Sequence, residues 1–129
     1  MTKPLNKVKI LCVDDDPFIR KLLSHLLERQ GFAIRTASNG QEGVDIARMW
    51  LPSLILMDLM MPVMDGFQAS TALRSDPKTQ HIPIIALTAM QGADVQECVK
   101  EIGINSLLTK PCPSEELFVT IPTHLLVQA

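Results

Sequence analysis

Three short stretches of this chain, Val8-Lys9-Ile10-Leu11-Cys12-Val13, Leu54-Ile55-Leu56-Met57 and Pro83-Ile84-Ile85-Ala86-Leu87, are apolar almost throughout instead of alternating. An alternating strand buries one face, whereas a strand apolar on both faces has to be covered on both, the situation of a parallel sheet between two layers of helix. The segments between these runs have helical periodicity. Phe18, Leu22, Leu23, Leu26 and Leu27 share helical spacing before Gly31; Val44, Ala47 and Leu51 mark a second helix that ends before Pro52. A third helix is expected from about Phe67 to Arg74, and Val95, Cys98, Val99 and Ile102 define a fourth that closes at Gly103. Two further strands fall at Phe32 to Ala37 and at Asn105 to Leu108, with Asn39-Gly40 as a turn, and Ser114 with Glu115 and Glu116 opens a last helix. The alternation predicts one doubly wound (βα)5 domain of the α/β class. Pro122, after β-branched Val119, Thr120 and Ile121, predicts that the last helix stops or kinks near Thr120, since an interior proline loses an N–H bond and clashes with the preceding turn.

Composition narrows the function. Fourteen acids against 12 bases give a net charge of −2, without a Lys/Arg run and with 4% aromatics, so a nucleic-acid surface has no support. No apolar stretch approaches the roughly 18 residues of a membrane span. The apolar run at Val8–Val13 is too short for a secretory signal and leads directly into acid. Cys12, Cys98 and Cys112 are odd in number and widely spaced, which suits a reducing cytoplasm and reads as small buried or half-buried hydrophobes. His25, His81 and His124 have no metal-ligand spacing.

The chemistry gathers at one edge. Asp14, Asp15 and Asp16 follow the first strand, Asp58 the third, Thr88 the fourth and Lys110 the fifth. In a doubly wound sheet these are the carboxyl ends of the strands, where ligands bind. Two or three carboxylates with one lysine leave the pocket negative, and a hard divalent cation resolves that charge; Mg²⁺, which uses oxygen ligands, water and phosphate, fits the set better than Zn²⁺. A carboxylate there can attack phosphorus and form an aspartyl phosphate. Asp16 reads as a helix cap or a solvated position and not as a metal ligand, and Asp65-Gly66 as turn and cap chemistry. Met57, Met60, Met61 and Met64 read mostly as gap-fillers.

The motifs V-D-D-D-P after the first strand, L-M-D-L-M-M-P-V-M-D-G around Asp58, A-L-T-A and T-K-P, in that order, resemble the receiver domain of two-component response regulators. The resemblance covers residues 7–121, leaving 1–6 and 122–129 as terminal extensions. It implies a flavodoxin-like three-layer sandwich with strand order 2-1-3-4-5. It also implies Asp58 as phosphoacceptor, Asp14 and Asp15 as the acidic pair for Mg²⁺, the Met60 carbonyl as a further ligand, Thr88 and Lys110 on the phosphoryl group, and a cis Lys110–Pro111 bond. The implied protein is a cytoplasmic switch and not an enzyme with an independent substrate. It takes its phosphoryl group from a sensor histidine kinase or histidine phosphotransfer protein and passes the signal to a downstream protein or into self-association, with no nucleic acid or membrane as partner. In the family, the positions of Met60 and Met90 tune hydrolysis of the acyl phosphate.

The sequence departs from the pattern in two places: three residues before the lysine the family usually carries Tyr or Phe, and here stands Leu107, and the final helix contains Pro122. Two other readings stay open at this level. One is a receiver-like interaction module that is never phosphorylated. The other takes Asp14-x-Asp16 as the nucleophile and acid of a haloacid-dehalogenase-type phosphatase.

Overall fold

The computed structural model describes residues 8–128. Five strands, β1 (Lys9–Val13), β2 (Ala33–Ala37), β3 (Leu54–Met57), β4 (Ile84–Thr88) and β5 (Ser106–Thr109), alternate with helices α1 (Pro17–Arg29), α2 (Gly40–Trp50), α3 (Gly66–Arg74), α4 (Ala93–Ile102) and α5 (Ser114–Gln128). All strand pairs are parallel and the order is β2-β1-β3-β4-β5, as the resemblance implies. The expected extension 1–6 lies outside the described residues.

The non-alternating runs have the expected cause. Every residue of β3 and β4 is buried, because alternate side chains enter two different cores. Leu11, Val13, Ile55, Met57, Ile84 and Ala86 face α2, α3 and α4, while Ile10, Cys12, Leu54, Leu56, Ile85 and Leu87 face α1 and α5. Fully burying one such side chain contributes roughly 1.5–3 kcal/mol, so the two cores dominate the stability of the sheet.

The helix starts are fixed by side chains. Asp16, Asn39 and Asp65 accept from the backbone N–H groups of Phe18, Glu42 and Gln68, and the Gln68 side-chain oxygen in turn accepts the Asp65 N–H. Asp16 and Asp65 are therefore caps, as expected, and Asn39-Gly40 is a cap and first helical residue instead of a free turn. Gly40 and Gly66 have no room for a side chain: an added Cβ would lie 2.3 Å from the Met64 carbonyl oxygen and 2.2 Å from that of Asp58 respectively.

Three expectations need correction. The last helix does not stop near Thr120; α5 runs through Pro122 to Gln128. Its helical path is held there by packing, since Leu117 and Ile121 are buried against the second core and Leu125 packs on it. Phe18 and Leu22, on the apolar stripe of α1, are exposed, and only Leu23 and Leu27 of that helix are buried. Cys98 is exposed on α4 instead of half-buried.

Candidate functional site

The register of the sheet assembles the site. Val13 is paired with Met57, so β1 and β3 end in step, and the Asp58 N–H continues the ladder by donating to the Val13 carbonyl at 2.9 Å. Thr88 is paired with Thr109, and the Lys110 N–H donates to the Thr88 carbonyl at 2.9 Å. With the Asp14 N–H donating to the Ala37 carbonyl at 3.0 Å, Asp14, Asp58 and Lys110 each stand one residue past a strand and are fixed by a backbone bond to the adjacent strand, and Thr88 closes β4 itself.

Asp14 and Asp58 are held in the same way. One oxygen of each accepts a backbone N–H two residues on: Asp14 Oδ1 from Asp16 at 2.9 Å, and Asp58 Oδ1 from Met60 at 3.2 Å. The other oxygen accepts the Lys110 ammonium, at 2.5 Å for Asp14 Oδ2 and 3.3 Å for Asp58 Oδ2. Both aspartates are buried, and the lysine that bridges them reaches in from the end of β5, across β4. Asp15 is exposed, yet it offers a carboxylate oxygen that lies with those of Asp14 and Asp58 within 4.8 Å of one another. Asp16 is not in this cluster, because its carboxylate is engaged as the α1 cap.

Burial pushes the Asp58 carboxyl above its ordinary range; the N–H of Met60 opposes that shift, the Asp14 charge adds to it, and Lys110 also opposes it. Burial by itself would lower the Lys110 ammonium. The hydrogen bond and charge of Asp14, then the charge and hydrogen bond of Asp58, more than reverse this, so the lysine is raised and stays protonated. Three carboxylates and one ammonium leave a net negative pocket of hard oxygen donors. That donor set fits a Mg²⁺ ion, and Asp14, Asp15 and Asp58 are the side chains that could hold one.

Thr88 is fully buried, and its hydroxyl oxygen accepts the Met90 N–H at 3.3 Å. Among the described residues the hydroxyl makes no hydrogen bond to Asp58 or Lys110. The Lys110–Pro111 peptide bond is cis. Sequence reasoning missed Arg20, whose guanidinium donates to the Asp14 carbonyl at 2.8 Å from the first turn of α1. Its acceptor is a backbone oxygen, which leaves no residue-type signature. It also missed a largely apolar cavity of about 360 Å³ between α1 and the start of α5, lined by Ile19, Leu22, Leu26, Pro111 and Leu117 and reaching Lys110.

Residues 10–122 match the family model described as the response regulator receiver domain. Protein PilH of Pseudomonas aeruginosa is 39% identical over 113 residues, covering 88% of this chain and 93% of its own. The chemotaxis protein CheY4 of Vibrio cholerae superposes with a TM-score of 0.87 at 32% identity, covering 92% of this chain and 98% of the other. The receiver domain of a P. aeruginosa sensor histidine kinase, described with a magnesium ion coordinated in its active site cleft, gives a TM-score of 0.86 at 29% identity, with 93% and 98% covered. Some relatives are longer proteins, of whose length this chain spans about half or less. The match over nearly the whole chain, falling on a fold whose carboxyl edge gathers these residues, places it in the response regulator receiver domain family of two-component systems.

Proposed function

We propose that residues 7–121 act as a phosphoacceptor switch in which Asp58 takes a phosphoryl group from the phosphohistidine of a sensor histidine kinase or a histidine phosphotransfer protein. The observation that carries this is the convergence of three carboxylates within 4.8 Å with one lysine bridging the two buried ones. A Mg²⁺ ion held by Asp14, Asp15, Asp58 and the Met60 carbonyl would screen the carboxylates from the incoming phosphoryl oxygens and stabilise the charge that spreads over them.

The chain's own groups do the rest. An Asp58 carboxylate oxygen forms the new O–P bond as the P–N bond of the donor breaks, and the imidazole leaves with the electron pair. Burial favours attack because a desolvated carboxylate is a stronger nucleophile than a hydrated one. Lys110, kept protonated by Asp14 and Asp58, exchanges its 3.3 Å contact with Asp58 for a phosphoryl oxygen. Thr88, one strand over, supplies a hydroxyl to another oxygen and gives up its contact with the Met90 N–H. The exposed Phe18 and Leu22, beside the apolar cavity that reaches Lys110, give a donor protein a surface adjoining the acceptor. The switch works in the cytoplasm, and among the described residues no helix is long and apolar enough to cross a membrane.

Incubation with phosphoramidate, with Mg²⁺ or with a chelator, followed by intact mass measurement tests the reading. One phosphoryl group is expected with Mg²⁺ and almost none with the chelator. No gain in either condition, or equal gains in both, contradicts it.

A further inference from the structure

Five of the seven methionines stand in the segment 57–64 or at position 90: Met57 closes β3, and the other four lie on the two loops that leave β3 and β4. Their exposures differ sharply. Met57 is fully buried in the first core, Met61, Met64 and Met90 are half-buried, and Met60 is 58% exposed. Met60 and Met90 line, with Leu59, Met61, Pro62 and Phe67, an open cavity of about 480 Å³ beside the site. Each is tethered to a site residue through its own backbone: the Met60 N–H to Asp58 Oδ1, and the Met90 N–H to Thr88 Oγ1. The residues whose backbone N–H groups hold Asp58 and Thr88 therefore both carry thioethers, groups that bond poorly to water and that peroxides oxidise readily when exposed.

We propose that Met60 is an oxidation site through which a peroxide shortens the lifetime of the phosphorylated state. This rests on the phosphoacceptor reading of Asp58. The Met60 sulfur attacks one oxygen of hydrogen peroxide; the S–O bond forms as the O–O bond breaks, and the departing hydroxide takes the proton of the oxygen now on sulfur and leaves as water. Sulfur is oxidised by two electrons and the peroxide is reduced. The product is a sulfoxide whose oxygen is a strong hydrogen-bond acceptor, on a side chain that starts at the residue anchored to the acceptor carboxylate. A water approaching the acyl phosphate then finds an acceptor to orient it where the thioether offered none. One net hydrogen bond of ordinary strength corresponds to hydrolysis about fivefold faster.

Met49 and Met57 serve as internal controls for exposure. Met49 is 83% exposed on α2 and oxidises without contacting the site, and Met57 is shielded. The test treats the whole chain with graded hydrogen peroxide, reverses cysteine oxidation with a thiol reductant, and maps sulfoxides by peptide mass spectrometry. Phosphoramidate and Mg²⁺ then load Asp58, and intact mass follows the decay. Sulfoxide is expected at Met60 and Met49 before Met57, with an acyl-phosphate lifetime shortened about fivefold, as one added hydrogen bond gives. Methionine sulfoxide reductases should restore it. Met49→Leu protein should keep the response, whereas Met60→Leu protein, whatever its own lifetime, should decay equally with and without peroxide. A Met60 that stays reduced while Met49 oxidises overturns the proposal, as does a response that survives Met60→Leu. A phosphoryl gain whose decay peroxide leaves unaltered overturns this proposal alone, whereas no gain in untreated protein overturns the phosphoacceptor reading with it.

Discussion

Asp58 is held by two donors of different kinds, a neutral backbone N–H and a charged ammonium, and these do not fully offset its burial. Its folded-state pKa lies above the unfolded value, so the ionised carboxylate opposes folding at neutral pH. That cost fades as pH falls through the raised folded value and is gone below the ordinary 3.8. Asp58→Asn should therefore stabilise the metal-free protein at pH 7 by about 1 kcal/mol, the usual size of a single-substitution effect, and the gain should vanish in acid. Denaturant titrations of both proteins at neutral and acid pH check this; a variant less stable than wild type at pH 7 contradicts it. Lys110 is the counterweight. Since its pKa is raised in the fold, its contribution is fully present below its ordinary 10.5 and is lost only as pH rises through the folded value, so the bridge between Asp14 and Asp58 is constant across the physiological range.

At the scale of elements, the strands and the site positions Asp14, Asp58, Thr88 and Lys110 were legible because each stands within two residues of the end of an apolar run, and an apolar run in a parallel sheet has only one edge where its carboxyl end lies. What was not legible depends on contacts between distant segments. Arg74, read only as the end of the third helix, donates to the carbonyls of Gln80, Ile82 and Gly103 and to Asn105 Oδ1, an oxygen that also accepts the Ile84 N–H. One guanidinium thus ties the end of α3 to the entries of β4 and β5. Arg74→Ala leaves several backbone acceptors without a charged donor and should cost roughly 2 kcal/mol or more. Thermal unfolding of the variant measures it, and a midpoint equal to that of wild type would show that the clamp is redundant. Pro122 misled for a related reason. Helix propensity is local, whereas the path of α5 is set by Leu117 and Ile121 in the core beneath it.

Across the whole molecule, the site has to change the surface, and Leu107 cannot do so by swinging an aromatic ring. It is half-buried and packs against the first core. Thr88 offers another route. Its hydroxyl already holds the Met90 N–H, so drawing that hydroxyl toward a phosphoryl oxygen releases the loop that leads through Gly92 into α4. Amide exchange of the protein with and without beryllofluoride and Mg²⁺ should then change most over residues 88–103 and little over 114–122; changes confined to the latter contradict this route. The central claim is narrower and more exposed to test: among three clustered carboxylates, Asp58 alone is the nucleophile. Borohydride reduces an aspartyl phosphate to the corresponding alcohol, which marks the residue permanently, and peptide mass spectrometry then locates it. After phosphoramidate and Mg²⁺ the mark should fall on Asp58, with none on Asp14 or Asp15 and none in Asp58→Asn protein, whereas a mark on Asp14 would contradict the account and favour a phosphatase-like use of the first strand's acids.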